Sequence, residues 1–195
     1  AGAYFMYRSQ NLSSEGTPNP LTGGDPVFVR RGAETFVPDL WFQLLWGGLR
    51  LELEAAMVIG RIDNLSNDTY DPTTGVDLLQ FGFAFEGEYH LLDNQMGIYF
   101  NAGYASGDAD VEGLSRLAGL QAQQTTPQGT DGTNSTFYFH PNYRVDLIFW
   151  RTIMRQLGGA YYLRPGLSWD FIRNDFGRLL GARADVIWSR AAEPV

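Results

Sequence analysis

The sequence predicts an all-β protein, an antiparallel up-and-down transmembrane β-barrel with about eight strands in this chain. Three observations predict it. Extended segments that alternate an apolar face with a charged, amide or glycine face fill more than half of the chain; their connections alternate long and short; and most of the segments are longer than the roughly five or six residues of a globular strand. Such lengths suit a tilted strand crossing a hydrocarbon layer, which needs roughly 9 to 11 residues. Residues 1–195 read as one barrel domain or as a segment of a larger barrel.

Period and punctuation place the strands at about 2–10, 36–46, 48–60, 77–91, 95–107, 138–152, 160–172 and 179–190. The third is the clearest. From Leu49 to Ile59 every odd position is apolar, and Arg50, Glu52 and Glu54 occupy the early even ones. The fourth sets Leu79, Phe81, Phe83, Phe85 and Tyr89 against Gln80, Glu86, Glu88 and His90. In the seventh, Tyr161, Leu163, Pro165, Leu167, Trp169 and Phe171 oppose Tyr162, Arg164, Ser168 and Asp170, and in the eighth Ala182, Ala184, Val186 and Trp188 oppose Arg183, Asp185 and Ser189. Tight turns follow the second, fourth and sixth strands, at Gly47-Gly48, near Asp93-Asn94 and at Gln156 to Gly159. Long polar loops follow the first, third and fifth, at about 11–35, 61–76 and 108–137. Short turns on one side and long loops on the other are the build of bacterial outer-membrane barrels.

With the first strand running upward, Trp46, Tyr89, Tyr161 and Trp188 fall near the lower ends of their apolar faces, and Tyr7, Tyr104, Tyr143 and Trp169 near the upper ends. These eight form the expected interfacial girdle. The competing explanation is the general enrichment of aromatics in strands.

Composition narrows the classes further. No run of about 18 apolar residues exists, which excludes a helical membrane protein but not a barrel, whose alternation halves the apparent hydropathy. A net charge of −8 argues against nucleic acid as a partner. All 14 basic residues are arginine, and the absence of cysteine removes disulfides and thiolate metal sites. No targeting peptide opens the chain, so it is expected to be a mature or trimmed segment.

Two stretches carry a resemblance. Phe139-His140-Pro141-Asn142-Tyr143-Arg144-Val145-Asp146-Leu147-Ile148-Phe149-Trp150-Arg151 is one, and Ala160-Tyr161-Tyr162-Leu163-Arg164-Pro165 the other. They resemble a family of predicted outer-membrane barrels in myxobacteria and related delta-proteobacteria, as do Ala3 to Gln10 and Gly181 to Arg190. The resemblance spans most of the chain through loose motifs and implies a fold and an outer-membrane location, with no catalytic residues. Members of that family are longer, which implies a segment of a larger barrel. The chain departs from a complete barrel in ending Ala191-Ala192-Glu193-Pro194-Val195 where a terminal aromatic is usual.

In a barrel, Arg50, Glu52, Glu54, Glu86, Glu88, Arg144, Asp146, Arg164, Asp170, Arg183 and Asp185 face the lumen. Eight strands closing alone would force them to pair as a plug, whereas a wider barrel would let them line water and bias ion selectivity. Val111, Leu114, Leu117 and Leu120 form an apolar stripe in the third loop, read either as a helix folding inward to constrict the channel or as one packed on the rim.

Asp63, Asp68 and Asp71, with Asn64 and Asn67, are candidates for calcium; a solvated turn-forming loop is the plainer reading. Asn11, Asn64, Asn67 and Asn134 begin N-x-Ser/Thr triplets, read as coincidence in a bacterial barrel. Enzyme chemistry has little material. His140 with Ser135 is a bare hydrolase candidate, His90 lies apart, and the acid pairs Glu52 with Glu54 and Glu86 with Glu88 are explained as lumen charge.

The sequence therefore predicts a porin-like outer-membrane channel for small solutes. The alternatives are a structural or surface-interaction barrel with a filled lumen and a soluble ligand-binding barrel. Its expected partners are outer-membrane lipids, with other barrel subunits or envelope proteins as further candidates; no cofactor is expected.

Overall fold

The computed structural model describes residues 1–16, 27–65, 75–109, 132–140, 142–143, 145, 157–174 and 177–193. The alternating segments become β1 (Gly2–Gly16), β2 (Val27–Trp46), β3 (Leu49–Ile62), β4 (Val76–Leu91), β5 (Met96–Ala105), β6 (Thr133–Asn134), β7 (Ala160–Asn174), β8 (Gly177–Asp185) and β9 (Trp188–Ala191). All nine belong to one sheet, and no helix occurs among the described residues. The hydrogen-bonded path is β1-β2-β3-β4-β5-β7-β8, antiparallel at every step. Off the path, β6 runs parallel to the start of β4, and β9 pairs with β7.

Tight turns fix the register. Trp46 pairs with Leu49 across Gly47-Gly48, where Gly47 takes the positive φ of 56° that a two-residue hairpin requires. At the next hairpin Leu92, Asp93 and Asn94 all have positive φ, closed by Gln95 N donating to Leu92 O at 3.0 Å. β9 continues the line of β8 without a shift, since Gly166 pairs with Asp185 and Leu163 with Trp188. The interruption falls opposite Pro165, whose carbonyl accepts from Val186 N at 3.0 Å but which has no N–H to donate in return.

Register carries each face across the sheet. One row runs Phe42, Leu53, Phe85, Ala102, Leu163 and Trp188; another runs Trp46, Leu49, Tyr89, Ile98, Leu167 and Ala184. This apolar face is bare: Trp46 is 75% exposed, Leu40 63% and Val186 67%. The opposite face has rows Gln43, Glu52, Glu86, Asn101, Arg164 and Leu45, Arg50, Glu88, Tyr99, Gly166, Asp185. Among the described residues buried apolar side chains are few, and one cluster of them, Val145, Leu157, Ala160 and Tyr162 with Phe139 and Tyr143 packed on it, covers part of this polar face.

The structure corrects several expectations. The sheet is not closed: among the described residues β1 and β8 do not pair with each other, so where a barrel was expected the strands form an open antiparallel sheet. The described residues of the expected sixth strand, 138–152, do not stand beside β5, because β7 occupies that place, with Tyr104 opposite Tyr161 and Met96 opposite Trp169. The described part of that segment lies instead over the polar face, and residues 146–156 lie outside the described residues. The third tight connection is therefore the one between Asn174 and Gly177, while Leu157 to Gly159 sit at the loop end.

Losing one wall strand reverses the direction of β7. Trp169 consequently joins Trp46 and Tyr89 toward the turn end, and Tyr161 joins Tyr7 and Tyr104 toward the loop end. Trp188 packs edge-on against Tyr161, ring centroids 5.3 Å apart. Tyr143 does not take the place expected for it among the girdle residues, for its hydroxyl hydrogen-bonds that of Tyr162 on the polar face. The first two strands also run further than their alternation suggested, to Gly16 and from Val27, into the expected 11–35 loop.

Candidate functional site

The polar face holds two neighbouring arrangements. Toward the turn end lies a charged network, built because β3, β4, β7 and β8 place their ionic residues in adjacent rows. Arg50 is its centre: Nη2 lies 2.6 Å from Glu52 Oε2, Nη1 3.4 Å from Glu88 Oε2, and Nη2 3.9 Å from Glu86 Oε2. Gln43 donates to Glu52, and His90 Nε2 contacts Glu88. One guanidinium thus gathers three carboxylates.

Across the face, Arg183 grips Asp185 with two hydrogen bonds of 2.9 Å, Nε to Oδ2 and Nη2 to Oδ1, and stacks 3.9 Å from the Tyr99 ring centroid. Arg164 Nε lies 3.3 Å from Asp185 Oδ1, and its Nη1 donates to Val145 O at 2.6 Å. Tyr99 and Ser168 share a hydroxyl hydrogen bond of 3.2 Å. These side chains remain partly exposed, from 18% at Asp185 to 42% at Arg50 and Arg183, so the network meets solvent on its free side. Charges this accessible contribute little net stability as pairs and instead set the field of the face.

Toward the loop end a strap, described over residues 132–140 and 142–143, crosses the same face. It enters beside β4, where β6 pairs Thr133 with Asp77 and Gln80 Nε2 donates to Asn134 Oδ1 at 2.9 Å. Ser106 and Ser135 lock its bend. Ser106 Oγ donates to Ser135 O at 2.5 Å while accepting from Phe81 N, Ser135 Oγ donates to Gly107 O at 2.8 Å, and Ser135 N donates to Asp108 Oδ2 at 2.8 Å. Phe137 then seats on Gly82, where an added Cβ would collide with its ring, and Tyr162 seats on Gly103 in the same way. Phe139 packs against Phe137 and Tyr143 at centroid distances of 5.7 and 5.0 Å, and Phe139 N donates to Leu157 O at 2.8 Å. Burial pushes the Tyr143 phenol up to about 12, well above its ordinary value, with the Tyr162 hydrogen bond a smaller effect in the opposite direction.

The site residues expected from sequence are distributed accordingly. Arg50, Glu52, Glu86 and Glu88 come together, as do Arg164, Arg183 and Asp185. Glu54 shares the polar face but makes no hydrogen bond or ion pair among the described residues; its row neighbours are Trp41 and Ala84. Asp170 bonds through its backbone to Gln95, N to O at 2.9 Å. Arg144 and Asp146 lie outside the described residues, as do Val111, Leu114, Leu117 and Leu120, so the expected constriction loop does too.

Of the calcium candidates, Asp68 and Asp71 also lie outside, while Asp63 is held by Arg61 at 3.1 Å beside Asp77 at 2.8 Å. The described residues contain no group of three acidic or histidine side chains able to hold a metal. His140 does not meet Ser135: its Nδ1 accepts from Asn142 N at 3.2 Å, and the Ser135 hydroxyl is committed to Gly107.

The strap and its glycine seats were missed by the alternation. Their signal was present in small residues at 82 and 103, on the polar sides of long strands, and in the unbroken aromatic run Phe137-Tyr138-Phe139, which does not alternate as a two-faced strand does. No protein-family model matches the sequence, and no characterised protein or solved structure matches it either.

Proposed function

We propose that this chain forms the wall of an outer-membrane β-barrel, its apolar rows in lipid and its polar face lining a lumen, and that the barrel is a porin-like channel for small solutes, narrowed by the strap. One observation carries the reading. Apolar rows lie exposed or half-buried along the strands of the path, while the charges and the folded-over chain share the other face. A protein in water rarely leaves a contiguous apolar face of that extent uncovered. Lipid is the solvent that accepts it, since between paired strands the backbone is satisfied within the sheet. The rings of Trp46, Tyr89 and Trp169 near one end, and Tyr7, Tyr104 and Tyr161 near the other, suit the two headgroup levels.

A second reading is a structural barrel with a filled lumen. The aromatic seats under the strap favour it, because they pack side chains where a channel would hold water. Planar-bilayer recording of the purified protein separates the two. Discrete current steps with cation preference support the channel, and an inserted, heat-modifiable protein that passes no current supports the filled barrel. Solubility without detergent would remove both.

A further inference from the structure

Among the described residues β1 and β8 bound the sheet, and both run from the turn end to the loop end, because the described path from β1 to β8 has seven strands and each neighbour reverses direction. An antiparallel barrel closes only on an even number. β1 therefore cannot meet β8 except in parallel. A second copy inserted in the same orientation offers the same upward edge and fails for the same reason.

The edges lack the protection that a strand facing water carries. Residues 2–13 of β1 include no proline and Arg8 as their only charge. In lipid such an edge has to be paired. The two edges also differ in chemistry. On the polar side near β1, Tyr4, Met6, Trp41 and Leu45 are 64%, 38%, 42% and 66% exposed, whereas near β8 the inward residues are Arg183 and Asp185, already paired.

Resting on the membrane-barrel reading above, we infer that β1 and β8 are pairing edges for an odd number of further β-strands, not for a second copy of this chain. The two strands that flank them run from the loop end to the turn end. The strand seated on β1 brings apolar side chains on its inner face to cover Tyr4 and Met6, and the one seated on β8 is polar there.

The closed assembly from outer membranes, solved in lipid nanodiscs, tests this. The expected result is an even strand total with an antiparallel neighbour on each edge, and slow amide exchange over residues 3–10. A parallel β1–β8 junction, closure by a second copy, or an edge covered only by a loop overturns it. Replacing Tyr4 and Met6 by Ser (Y4S/M6S) is expected to loosen the β1 junction, read as faster exchange over residues 3–10 with exchange over 177–185 unchanged; equal effects on both edges count against the assigned chemistry. An assembly that closes as described and passes no current leaves the inference standing and removes the channel, and a conducting barrel with a parallel junction removes the inference alone.

Discussion

Phe137 sits on the bare backbone of Gly82, at the one level of β4 where the polar face has no side chain to lift the ring away. A methyl group there would collide with the ring, so Gly82→Ala is expected to lever the strap off the face and destabilise the fold by about 1–3 kcal/mol, the usual cost of overpacking. Urea unfolding in detergent micelles measures it. Adding Phe137→Ala should recover part of the loss, because the two residues are in contact and their effects are then not additive. Purely additive losses would show that the ring does not rest there. In bilayers, the channel reading expects G82A to carry a larger current than the parent protein.

Leu53 and Glu52 are chain neighbours on opposite faces, Leu53 opposite Phe42 and Phe85 and Glu52 opposite Gln43 and Glu86. Leu53→Arg should cost about 2–4 kcal/mol in lipid vesicles if that row lies near the midplane. Glu52→Gln leaves Arg50 with Glu86 and Glu88, so its cost should stay within about 1 kcal/mol, while cation selectivity in bilayers falls. Equal penalties for the two substitutions would mean that the assigned faces are wrong.

How much of this was legible beforehand follows from what alternation encodes. A period of two reports that a segment is extended and two-faced, which is why Leu49 to Ile59, Leu79 to Tyr89 and Tyr161 to Trp169 stand in strands with the expected residues sharing a face. It does not report where an extended segment lies. Tyr143 and Val145 alternate with Arg144 as a wall strand would, yet Tyr143 and Val145 pack on the polar face, and the miscount of one strand turned β7 end for end. Asn11 to Gly16 escaped notice for a related reason. They extend β1 with Leu12 as their single apolar residue, and a strand without a repeating apolar side leaves no period of two to find. In the charged site the individual residues were readable, but the convergence of Glu52, Glu86 and Glu88 on Arg50 depends on cross-strand register, which lies outside any single strand.

The hairpin between β4 and β5 holds Leu92 at φ 52°, a left-handed conformation that costs a branched residue about 1–2 kcal/mol. Leu92 is 61% exposed, so it has little packing to lose. Leu92→Asn is therefore expected to stabilise the protein by about 1 kcal/mol, seen as a higher urea midpoint with an unchanged slope. Leu92→Val should do the opposite, since branching at Cβ adds to the clash.

Tyr143 makes the strap sensitive to alkali. Its phenol is pushed up to about 12 by burial, so the folded protein holds that proton more tightly than the unfolded chain, whose tyrosines ionise near 10. The contribution is fully present below about pH 10 and is lost as the pH rises toward 12, because the unfolded chain has by then released the proton that the folded one retains. Tyrosinate absorbance of the wild type minus that of Tyr143→Phe should show a step near 12, and strap proteolysis in the wild type should rise over the same interval. Tyr143→Phe removes the titrating group and the hydroxyl contact with Tyr162 together, so its strap should be looser at neutral pH and flatter in its response between 10 and 12. A difference step near 10 instead would place Tyr143 in water and detach it from Tyr162.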